Sequence, residues 1–132
     1  TDSRFDRPSY EENAAGFFLT RSLMHWFWDL YCSPTQRSDP RAAPLRGNLK
    51  GLPPAFVTTC EFDPLRDEGI AYAEALAAAG VSVEQLQAHG HFHASFTMVD
   101  VVLSGTVGRM QMAEALRRFA GLNHQHGPET HP

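Results

Sequence analysis

A chain of 132 residues with 42% apolar and 20% charged side chains has the material for one domain of ordinary size, and its composition is not that of a disordered segment. Acidic residues outnumber Lys and Arg by 15 to 11, and no basic cluster is present, which excludes charge-driven binding to nucleic acid and weighs equally against an anionic membrane surface. No run approaches the roughly 20 apolar residues of a membrane span. The opening TDSRFDRPSY lacks the basic-then-apolar layout of a secretory leader, and the two cysteines, Cys32 and Cys60, sit in apolar runs as buried free thiols do. A reducing cytosol is therefore the expected compartment.

Residues 1–16 mix charge, Pro and Gly without a period and are expected to form an arm. Residues 17–50 hold one helix and a loop. Thr20 is placed as an N-cap, and Leu23, Trp26, Phe27, Leu30 and Tyr31 recur at the spacing of one helical face, which predicts a helix over Arg21 to Cys32. Trp28 falls off that face, so a second surface of the helix is expected to be covered too. The stretch SPTQRSDPRAAPLRGNLKGLPP then has the Pro and Gly content of a loop.

Residues 51–121 change character. The uncharged, β-branched AFVTTC predicts a strand covered on both faces. After Asp63-Pro64, LRDEGIAYAEALAAAG predicts a helix ending at Gly80, with Asp67 and Glu68 in its first turn where the helix dipole favours negative charge. VSVEQLQA predicts a second short strand. TVGRMQMAEALRRFAG predicts a closing helix with Val107, Met110, Met112, Ala113, Leu116 and Phe119 largely to one side. Residues 122–132 make a polar tail.

Strand, helix, strand, helix is the order of parallel α/β units. Two strands that look buried on both faces make a poor sheet alone, so the sheet is expected to be incomplete without further polypeptide or a second copy of the chain. In open parallel sheets, reactive groups gather outside the carboxyl ends of the strands. Asp63 follows the first strand and the histidine cluster AHGHFHASF follows the second, which predicts a carboxylate and an imidazole at one rim. An Asp beside an imidazole Nδ1–H fixes the tautomer and stabilises the protonated ring, as a histidine base acting on a serine requires.

The block GLPPAFVTTCEFDPLRDEGIAYAEALAAAGVSVEQLQAHGHFH resembles the C-terminal part of the hormone-sensitive-lipase-like (bacterial family IV) esterases of the α/β-hydrolase fold. The segments FLTRSLMHWFWDLYCSP and DPRAAPL are similar to that family as well, extending the resemblance from about Phe17 to Phe119. By position, Asp63 matches the triad acid of the D-P-L-R-D-E motif, and His93 matches the triad base of G-x-x-H counted from Gly90. The resemblance implies a carboxylic ester hydrolase acting on small acyl esters, without a cofactor or a catalytic metal, and an aromatic segment MHWFWDLY that either helps line the acyl site or packs against the missing portion as core. The family order is Ser, Asp, His, with the serine in a G-x-S-x-G elbow after an HGGG-type oxyanion loop. Neither motif occurs here, so the resemblance implies a segment that supplies acid and base to a nucleophile located elsewhere, with little turnover by itself.

Plainer readings stand beside these. Asp63 ahead of Pro64 also suits a helix cap. His89, His91 and His93 alternate, so in an extended strand all three would point one way, as a metal site would need, although Gly90 loosens the strand there and no fourth ligand lies at a recognisable spacing. His124, His126 and His131 belong to a solvated tail. A third reading is a non-catalytic interaction domain that pairs through its exposed sheet edge.

Overall fold

The computed structural model describes residues 1–121, and the expected tail over 122–132 lies outside the described residues. In chain order the elements are α1 (Ser9–Glu12), α2 (Arg21–Tyr31), β1 (Ala55–Phe62), α3 (Arg66–Ala78), β2 (Val83–Phe92) and α4 (Gly105–Phe119). Short 3-10 turns occur at Pro34–Gln36, Pro44–Arg46 and Ser95–Thr97. The two strands are parallel neighbours, with Ala55 opposite Val83 through Cys60 opposite Ala88. This is the crossover unit that the order of elements predicts, with α3 packed on the sheet around Leu49, Leu76 and Val81.

Beyond Cys60 the ladder slips. Phe62 pairs with Phe92, so one residue of β1 faces three of β2: His89, Gly90 and His91. Gly90 takes φ +74°, a conformation that a side chain would resist, and its N–H donates to Glu61 Oε2 at 2.7 Å. A bulge of this kind bends its strand and re-aims the side chains that follow. Strand β2 thus continues through the first two histidines of the cluster, four residues past the predicted run.

The arm is more ordered than its composition predicts. Residues 9–12 form a single helical turn, and the turn docks on the 64–68 corner between β1 and α3. Ser9 Oγ donates to the Pro64 carbonyl at 2.8 Å, the Ser9 N–H donates to Asp67 Oδ2 at 2.8 Å, and the buried Tyr10 hydroxyl donates to Glu68 Oε2 at 2.7 Å. Asp67 and Glu68 therefore anchor the arm in addition to sitting in the first turn of α3.

Thr20 caps α2 as predicted, its hydroxyl accepting from the Leu23 N–H at 3.1 Å. The face that α2 buries differs from the predicted one. Trp28 is 8% exposed, in a cluster with Phe5, Tyr10 and Ala43, whereas Trp26, Phe27, Leu30 and Tyr31 are exposed, Leu30 by 66%. The arm and the loop after α2 wrap the Trp28 side, and no described residue covers the wider stripe. Helix α4 repeats the pattern. Gly105, Gly108 and Ala115 are its buried positions, while Val107, Met110 and Leu116 are exposed, the last by 69%. Small residues permit a close approach to the 3-10 turn at Ser95–Thr97, and the predicted apolar face is split, with Met112 and Phe119 half-buried and Val107, Met110, Ala113 and Leu116 left open. No helix among the described residues is long and apolar enough to cross a membrane.

Candidate active site

Asp63 is the first residue beyond β1 and His93 the first beyond β2, so the parallel pairing carries both to the same sheet rim. Asp63 is 6% exposed. Its Oδ1 accepts from the Leu65 N–H at 2.8 Å, an Asx turn that leads into α3 in place of the expected helix cap, since the N-cap of α3 is Leu65 and has no side-chain cap. Its Oδ2 lies 2.9 Å from His93 Nδ1. One oxygen thus shapes the turn and the other meets the imidazole. The backbone carbonyl of Asp63 is also held, by the side-chain amide of Asn13 at 3.3 Å, so the docked arm braces the carboxylate from behind.

His93 is half-buried. The hydrogen bond to Asp63 raises its pKa above the ordinary imidazole value, partial burial opposes that rise, and the negative charge of Asp63 adds to it. With Nδ1 engaged, Nε2 is the nitrogen left to exchange a proton. Both side chains line a cleft of about 250 Å³ that runs along Val57, Thr58 and Thr59 of β1 to Tyr72 of α3.

The other histidines of the cluster go elsewhere. His89 is exposed, with Nδ1 3.6 Å from Glu61 Oε2. His91 is buried, with Nδ1 2.9 Å from Ser95 Oγ. The bulge at Gly90 breaks the simple alternation, and among the described residues no three His, Cys, Asp or Glu side chains converge on a common point. Cys60 lies beneath the pair as a buried free thiol whose pKa is pushed up by burial and by the charge of Asp63, against a hydrogen bond with Ser95.

Residues Ser9, Asn13, His91 and Ser95 support this rim, and the sequence pattern singles out none of them for that task. For Asn13 and Ser9 the partners are 50 and 55 residues away, beyond the reach of local periodicity.

The family model described as the alpha/beta hydrolase fold matches residues 1–97. An ethyl acetate hydrolase of Pseudomonas putida is 34% identical over 120 residues, covering 89% of this chain and 38% of that protein. A carboxylesterase of Mycobacterium tuberculosis, NlhH, is 40% identical over 111 residues, covering 77% of this chain and 34% of that protein. Among solved structures, a fungal esterase from Rhizomucor miehei superimposes with a TM-score of 0.86 at 35% identity, covering 96% of this chain and 41% of the other. The chain spans little more than a third of the length of these relatives.

Proposed function

The chain belongs to the alpha/beta hydrolase fold family, and we propose that within it Asp63 and His93 are the acid and base of a carboxylesterase whose nucleophilic serine and oxyanion hole lie in polypeptide outside this sequence. The observation that carries the reading is the 2.9 Å contact between Asp63 Oδ2 and His93 Nδ1 at the carboxyl ends of adjacent parallel strands. His93 Nε2 takes the proton of the serine hydroxyl as its oxygen attacks the ester carbonyl carbon. The C=O electron pair moves to oxygen, giving a tetrahedral oxyanion. Asp63 stays ionised and stabilises the imidazolium. His93 then protonates the leaving alkoxide as the C–O bond breaks, and the same steps with water in place of serine release the acid. The name of the Pseudomonas relative favours a small acyl ester as substrate.

The polypeptide that completes the sheet is also the natural cover for the open stripe of α2. A second copy of this chain is the alternative, and sedimentation separates the two. A metal site on His89, His91 and His93 has less support, because the Nδ1 atoms of His91 and His93 are engaged by Ser95 and Asp63.

The test is to join residues 1–132 to the N-terminal half of an esterase of this family and follow p-nitrophenyl acetate hydrolysis. Asp63→Asn is expected to lower kcat by a factor on the order of 10⁴ and His93→Ala by at least as much. An unchanged rate in His93→Ala would end the proposal. The chain alone is expected to show no turnover above the buffer rate, since two triad members without a nucleophile leave nothing to acylate.

A further inference from the structure

His93 stands inside a loop that is tied across it by a bond the reaction does not use. His91, two residues before, places Nδ1 2.9 Å from the hydroxyl of Ser95, two residues after. Ser95 is fully buried, which denies it a role as nucleophile, and His91 is 8% exposed. Between them Ala94 is left-handed, at φ +63°, a conformation that a residue with a Cβ keeps only where its surroundings impose it. Phe96, which follows Ser95, is half-buried between β2 and α4. The Phe96 ring lies 4.9 Å from the His91 ring, a Cβ at Gly108 of α4 would come within 2.7 Å of it, and Arg109 Nη1 donates to the Phe96 carbonyl at 2.7 Å.

We propose that His91 is a positioning residue: its bond to Ser95 closes the chain around His93 and keeps that imidazole on Asp63. The inference rests on the acid–base pair of the proposed function and names what holds its base in register. Once the bond is lost, Ala94 is free to relax toward the extended region, and the His93 ring swings with it. The bond forms in either tautomer, with Ser95 O–H donating to Nδ1 or Nδ1–H donating to Oγ. A replacement must therefore put a polar atom where Nδ1 stands. Asn does so, whereas Phe keeps the ring and its contact with Phe96 but deletes the nitrogen.

The experiment follows the His93 imidazole by side-chain nitrogen NMR across a pH titration of the full chain, beside Asp63→Asn, His91→Phe, His91→Asn and Ser95→Ala. Asp63→Asn sets the scale by lowering the His93 midpoint. His91→Phe and Ser95→Ala are expected to produce more than about half of that drop, and His91→Asn to restore most of it. A folded His91→Phe or Ser95→Ala protein whose His93 titrates as in the parent overturns the proposal. Should His91→Phe fail to fold, Ser95→Ala breaks the same bond, and Cys60→Ala beside it accounts for the other hydrogen bond of the Ser95 hydroxyl, so a drop in Ser95→Ala that Cys60→Ala lacks supports the proposal and equal midpoints overturn it. If Asp63→Asn leaves His93 unmoved, the acid–base pair itself falls and this inference with it. Absence of ester turnover in the joined enzyme, with the couplings intact, would fell only the esterase reading.

Discussion

His93 is pulled in opposite directions by the two features that define it. The carboxylate of Asp63 favours the imidazolium, burial disfavours it, and the carboxylate prevails, so the folded pKa lies above the ordinary 6.5. The consequence for stability follows from linkage. A pKa higher in the folded than in the unfolded chain means that folding binds protons, so the contribution of the pair is fully present below about 6.5 and is lost as pH rises through the folded value. Urea midpoints measured across that window are expected to fall with rising pH in the parent and to fall less in Asp63→Asn. Equal slopes in the two proteins would show that the pair carries no such linkage. Asp63 meanwhile keeps its Asx-turn bond to the Leu65 N–H, so its replacement by Ala is expected to cost more than its replacement by Asn, which retains an acceptor.

At the scale of the element, two helices present the face their sequences reserve for burial. Trp28 of α2 fills the pocket made by Phe5, Tyr10 and Ala43, while Trp26 on the broader apolar stripe is 54% exposed. Trp28→Ala is expected to cost about 3–5 kcal/mol and Trp26→Ala no more than about 0.5 kcal/mol, read as shifts in urea midpoint at unchanged slope. The reverse order would mean that the stripe is the packed side. Helix α3 makes a sharper statement. A Cβ at Gly69 would come within 2.7 Å of Thr59 Cγ2, so the helix lies closer to β1 than any larger residue allows. Gly69→Ala is expected to destabilise by about 1–3 kcal/mol in spite of its better helix propensity, and a stabilised variant would refute the close packing.

For the molecule as a whole, the described residues form a two-stranded sheet with unpaired outer edges, beside an exposed aromatic stripe on α2 and an exposed apolar face on α4. A pair of strands is marginal alone, and such edges pair with whatever strand is offered. Sedimentation velocity on the chain by itself is expected to show association that grows with concentration, and the species joined to a family N-terminal half is expected to sediment as a single component. A clean monomer of the chain alone at high concentration would show that these surfaces tolerate water.

The sequence by itself determined the parallel α/β order, the courses of both strands to within a few residues, three longer helices, the Thr20 cap, and the meeting of a carboxylate with the histidine cluster at one rim. Each of these is written in neighbouring residues: a β-branched run, a helical period, and an Asp-Pro turn after one strand with a histidine run after the next; the choice of His93 among the histidines came from the family resemblance. The tertiary structure alone decided which side of α2 and α4 is covered, because an apolar stripe states that burial is wanted but not which partner will supply it. It decided the docking of the arm through Ser9 and Tyr10, whose partners lie 55 and 58 residues away. It also decided the separate fates of His89, His91 and His93. Regular alternation would have pointed all three one way, and the bulge at Gly90, held by Glu61 across the sheet, turned them to three different partners.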